Sequence, residues 1–143
     1  MTIEEQLQKE GYLLSLSAGY SMRPMLTQRT EQLLIEKLTT DPSVNDVVLF
    51  KRRSGQYVLH RIIRRCGDHY LIRGDNCYGG ESVAYEQIIG ILKGFYKGSR
   101  YIDCGSNKTY LCYVFLWRII YPLRYVTHSV LQWVRRGISM FRR

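Results

Sequence analysis

Over the first hundred positions, short blocks of apolar or alternating residues are separated by turn residues. Tyr57-Val58-Leu59-His60-Arg61-Ile62-Ile63 is rich in β-branched and aromatic side chains and predicts a strand. Val47–Arg52 predicts another, introduced by Asn45-Asp46, and Ser54-Gly55 joins the two as a β-hairpin. Tyr70–Arg73 comes after the turn Cys66-Gly67-Asp68, and Ile88–Tyr96 predicts a closing strand interrupted by Gly90 and Gly94. Glu31–Leu38 reads as helix by propensity and as strand by its flanking turns, and Thr40-Asp41-Pro42 ends it. Thr2–Gly11 predicts a short helix, with Thr2 and Glu5 as a capping box. Tyr12–Ser17 is a short apolar stretch, and Tyr85-Glu86-Gln87 a helical turn. Several short strands at near-regular spacing predict a mainly β domain built on a compact, bent sheet.

The pattern changes after Ser106. Tyr110–Trp117 is an apolar run, Arg118 and Arg124 interrupt the stretch beyond it, and Pro122 predicts a kink. About 20 mostly apolar residues are needed to span a bilayer, and this segment falls short. The chain has 143 residues, a 45% apolar fraction and 23% charged residues, enough for one domain with an appendage. The net charge of +9 is placed unevenly. Residues 1–92 hold 11 Lys/Arg against 11 Asp/Glu, whereas residues 93–143 hold 10 Lys/Arg against Asp103 alone. The domains expected are therefore 12–100, compact, and 107–143, a basic, aromatic-rich amphipathic helical tail. In that tail Arg124, His128 and Arg135 fall within about 40° of one another on a helix of 3.6 residues per turn. Such a helix suits an anionic membrane surface or a partner helix. The competing reading packs it on the domain with its arginines solvated.

Gly19-Tyr20-Ser21-Met22-Arg23-Pro24-Met25-Leu26 carries the candidate chemistry. Ser21 sits on a glycine-flanked turn, and a serine hydroxyl needs a neighbouring base to become a nucleophile. His60 is the natural base, since imidazole titrates near neutral pH. On its strand it shares a face with Val58 and Ile62, while Arg61 points the other way. The bland role for such a histidine is a core residue satisfied by a carbonyl. An acid that orients the imidazole completes a triad, and Asp75, in Gly74-Asp75-Asn76, is the first candidate. Gly, Asp and Asn also make plain β-turns.

A Ser-Met-x-Pro box, then His60-Arg61, then Gly-Asp-Asn resembles the signal-peptidase and LexA-like serine peptidases, in the branch with histidine as base. The resemblance runs from about Ser17 to Gly98. It implies a signal-peptidase-like bent sheet, with strand rather than helix over Glu31–Leu38. It implies Ser21 as nucleophile, His60 as general base, and either Asp75 or Glu81 as the acid, because this branch carries a second acidic residue a few positions after Gly-Asp-Asn. Gly19, Tyr20, Met22 and Pro24 would contact a peptide or preprotein substrate, with small residues preferred before the cut. The Ser21 N–H would serve the oxyanion. Relatives often add a hydroxyl two residues before the nucleophile, and this chain has Gly19 there.

No cofactor or metal is implied. Cys66, Cys77, Cys104 and Cys112 have no metal-ligand spacing and read as free thiols of a reducing compartment. Cys77 adjoins the Gly-Asp-Asn turn without a base beside it in sequence. His69 and His128 are expected to face solvent. The pI of 9.6 raises nucleic-acid binding, but no helix-turn-helix, zinc or RNA-binding signature is present, and no such partner is expected. LexA-like repressors place a DNA-binding domain before the serine box, and twenty residues leave no room for one. Glu4, Glu5 and Glu10 are the wrong charge for a secretory n-region, and no spanning anchor precedes the serine box. A cytoplasmic location, or a peripheral one on the inner face of the membrane, is expected. The competing class of function is a non-catalytic peptide-binding module on the same fold.

Overall fold

A computed structural model describes the backbone of residues 1–140 and the side chains of residues 1–138. The order of elements is α1 (Ile3–Glu10), β1 (Tyr12–Leu16), β2 (Gln32–Lys37), β3 (Val47–Lys51), β4 (Tyr57–Cys66) and β5 (His69–Arg73). Next come β6 (Glu81–Ala84), a 3-10 turn (Tyr85–Gln87), β7 (Ile88–Lys97), β8 (Arg100–Asp103) and α2 (Lys108–Met140). The fold is mainly antiparallel β with a helical C-terminal segment, as the pattern predicted. Residues 141–143 of the expected tail lie outside the described residues.

The strands form one sheet in the order β1-β2-β7-β3-β4-β5-β6, and β8 pairs with β7. Long β7 makes this possible, meeting β3 through Ile88–Ile91 and β8 through Gly94–Lys97. Central β3 is buried on both faces, so its successive side chains feed two cores. Val47 and Leu49 join Leu7, Leu33, Ile35, Leu92 and Phe95 on one side. Val48 and Phe50 join Ile62, Tyr70, Ile72 and Val83 on the other. Neither β6 nor β8 was legible in the pattern. Each has four residues and is defined mainly by its pairing with β5 or β7.

α1 has the predicted capping box, and Gly11 closes it in the left-handed conformation at φ 80°. Leu7 is fully buried in the first core, and Glu4 bonds Lys51 and Tyr57. α1 therefore packs on the same core as the strands. α2 runs as one helix with Pro122 inside it, and Tyr110 enters the first core.

Candidate active site

Ser21 lies in the loop between β1 and β2. Two buried residues at its base close this loop. The Ser17 N–H donates to Glu31 O at 2.9 Å, and the Arg29 N–H to Ser17 O at 2.8 Å. Glu31 Oε2 accepts from the Thr27 N–H at 2.7 Å and the Thr30 hydroxyl at 2.8 Å. Met22, Met25 and Leu26 anchor the loop in the first core. Gly19 takes φ +76°, which its missing Cβ permits. Ser21, half-buried, lines a cleft of about 560 Å³.

His60 reaches the same cleft from β4. Its ring is buried and tilted against Phe50, with centroids 6.2 Å apart. Gly74, after β5, is the point where the two meet. A Cβ at this position would stand 2.6 Å from Ser21 O, 2.8 Å from Cys77 Sγ and 3.0 Å from His60 Nε2. Only glycine allows that approach. The next turn is bonded to the serine loop as well. The Asn76 N–H donates to Ser21 O at 2.8 Å, and Asn76 Nδ2 to Tyr20 O at 3.2 Å. Among the described residues no hydrogen bond joins Ser21 Oγ to the imidazole, a contact that often tightens only with substrate bound. Nor does the Ser21 N–H make an internal hydrogen bond among them.

The two candidate acids have separate environments. Glu81 Oε1 is 3.6 Å from His60 Nδ1, the nitrogen that otherwise has no partner. Arg52 holds both Glu81 oxygens, Nη2 to Oε1 at 2.6 Å and Nε to Oε2 at 2.9 Å. This contact depresses the Glu81 pKa below the ordinary carboxylate value. Burial lowers the His60 pKa, with Glu81 opposing and Arg52 assisting. Asp75 faces away from the ring. Its carboxylate takes two buried bonds of 2.8 Å from Arg61 and a part-buried one of 2.8 Å from the Tyr113 hydroxyl. The Asp75 carboxylate thus ties the turn to β4 and α2, and the carboxylate beside the imidazole is that of Glu81.

Of the residues expected to contact substrate, Gly19, Tyr20 and Met22 line the cleft. Pro24 does not. It lies on another side of the same loop, in shallow grooves against the start of α2. Arg52 lines the cleft without having been singled out, and Cys77, read from the sequence as a free thiol, lines it too. Arg52 carries no local signal, because its role depends on meeting Glu81 across the sheet.

α2 also reaches the site. The Trp117 indole donates to Asp75 O at 3.0 Å, and the Tyr121 hydroxyl to Tyr78 O at 2.9 Å. Arg124 donates to Asp75 O and to Asn76 Oδ1, each at 3.3 Å. His128 stacks on Tyr78 with centroids 4.0 Å apart. Arg124 and His128 therefore face the turn at residues 75–78. Two of the three residues of the expected basic stripe, Arg124 and His128, are thus turned inward, while Arg135 is exposed, and His128 is not a solvent-facing residue.

Among the described residues no group of three or more His, Cys, Asp or Glu is placed to hold a metal ion. Comparison with protein-family models finds none that matches the chain, and comparison with curated proteins finds no significant relative.

Proposed function

We propose that this protein is a serine endopeptidase resembling the type I signal peptidases, acting on a leader or signal-like peptide. The observation that carries the reading is that Ser21 and His60 line one cleft, with the Ser21 carbonyl and His60 Nε2 both close against Gly74 and Glu81 behind the ring. With Nδ1 facing Glu81, the imidazole proton belongs on Nδ1, which leaves Nε2 to accept. Ser21 Oγ attacks the peptide carbonyl as its proton passes to Nε2. The oxyanion is met by the Ser21 N–H. His60 then returns the proton to the leaving amine, and the acyl group stays on Ser21. Water, activated by the same imidazole, releases it.

Two unpaired strand edges border the cleft. β1 is the outer strand of the sheet, and Tyr57–His60 of β4 pairs with β3 but precedes the pairing with β5, which starts at Arg61. An extended peptide between them can add as a strand, its backbone bonded and its side chains in alternate pockets.

A second reading, a peptide-binding module, draws on Gly19, which offers no hydroxyl to the oxyanion, and on the absence of a Ser21–His60 hydrogen bond. Labelling with a serine-directed acylating probe separates the two. Labelling of wild type but not of Ser21→Ala or His60→Ala supports the peptidase. Absence of labelling across probe chemistries and pH values supports the module.

A further inference from the structure

α2 is inside out. A surface helix ordinarily buries its apolar stripe and shows its polar one. Here Tyr113, Trp117, Tyr121, Arg124 and His128 form the stripe that contacts the domain. Large apolar residues point away, with Phe115 64%, Leu123 67% and Trp133 76% exposed. At 3.6 residues per turn, Leu111, Phe115, Ile119, Leu123, Val130 and Val134 occupy an arc of about 140° opposite the docking stripe. The arc is about 35 Å long at 1.5 Å per residue. Arg118 and Arg124, the charged residues between Leu111 and Val134, both fall outside it. An exposed apolar surface of this extent marks an interaction site.

Charge selects the occupant. After Asp103 the chain has seven Lys/Arg and no Asp or Glu. Arg118 and Arg136 stand about five full turns apart, so both fall on one border of the arc. A second copy would bring another set of cations with no carboxylate on either helix to neutralise them. An anionic bilayer supplies an apolar layer and negative headgroups in the order this helix requires. No described helix is long and apolar enough to cross a membrane, and the face opposite the arc is occupied by the domain along the first half of α2.

We propose that α2 lies flat in the interface of an anionic bilayer, its aliphatic arc toward the acyl chains, with the catalytic domain standing where a free amphipathic helix would have its polar face. The surface is distinct from the cleft and does not depend on the peptidase reading.

The test uses the full chain carrying Ser21→Ala, so that peptidase activity plays no part. The protein is sedimented with vesicles of phosphatidylcholine alone and of phosphatidylcholine mixed with phosphatidylglycerol. Binding to the mixed vesicles at least about tenfold tighter than to the neutral ones is expected, because each cation near such a surface contributes roughly fivefold. The double variant Ile119→Glu/Leu123→Glu, altered only at exposed positions, should lose this binding while keeping the wild-type melting temperature. On the Trp133-only background (Trp117→Phe), fluorescence should be quenched by brominated lipid, which reports insertion without altering the arc. Equal binding to neutral vesicles overturns the proposal, as does an unquenched Trp133. No binding overturns it too, and a dimer in sedimentation without lipid would then assign the arc to a second copy.

Discussion

Glu81 Oε1 stands 3.6 Å from His60 Nδ1, while Arg52 grips both oxygens of the same carboxylate. Asp75, on the Gly-Asp-Asn turn, is engaged instead by Arg61 and Tyr113. The two acids should therefore fail differently. Glu81→Gln should leave the melting temperature near wild type and reduce Ser21 acylation, within the roughly 10²–10⁴-fold that a positioned base supplies. Asp75→Asn should lower stability by about 3 kcal/mol or more, because it leaves Arg61 charged and buried without its partner. Thermal melts beside acylation rates check both. An Asp75→Asn protein of normal stability and no acylation would exchange the two roles.

His60 must be neutral to accept a proton, and burial holds its pKa below the ordinary value of 6.5. Acylation should rise with pH along a limb centred below that value. Glu81 raises the histidine pKa and Arg52 lowers it. Glu81→Gln should therefore move the limb to lower pH, and Arg52→Gln should move it higher. The same depression contributes stability above about pH 6.5, lost as pH falls through the lower folded-state value, since protonation favours the unfolded chain. Profiles of acylation rate against pH for the three proteins test the signs. Shifts in one common direction would count against this electrostatic account.

Gly74→Ala should disable the site. The added Cβ would stand 2.6 Å from a backbone oxygen, Ser21 O, which cannot swing aside as a side chain can. The serine loop must then move relative to the imidazole. A displacement of about 1 Å can cost about 10²-fold in rate. Acylation of the folded variant is the readout, and a rate within twofold of wild type would show that the close approach is not needed.

Trp117→Phe keeps an aromatic ring on α2 but removes the N–H that donates to Asp75 O. The partly buried carbonyl keeps only the longer bond from Arg124, so the cost should be about 1 kcal/mol. Because Asn76 bonds Ser21 O, loosening should reach Ser21. Hydrogen exchange should quicken at the Asn76 amide, with acylation reduced severalfold. Unchanged exchange there would separate α2 from the site.

Much of the architecture was open to reading in one dimension because its causes are local. The capping box of α1 needs only Thr2 and Glu5, and the β3–β4 hairpin needs two apolar strands and a Ser-Gly turn. Ser21 and His60 stand out because their residue types and turn context are present within a few positions. Strand over Glu31–Leu38 was favoured only through the resemblance, and the structure has β2 there.

The sequence by itself determined the strand periodicity, the serine turn, the histidine strand and the helical, cation-rich end, all governed by neighbours in the chain. Only the tertiary structure decided which carboxylate meets the imidazole, because that depends on Arg52 and Arg61 each capturing an acid from a distant segment. It also decided which way α2 faces. The carbonyls of Asp75 and Tyr78 take donors from Trp117, Tyr121 and Arg124, and meeting them turns the polar stripe of the helix inward and its aliphatic stripe out.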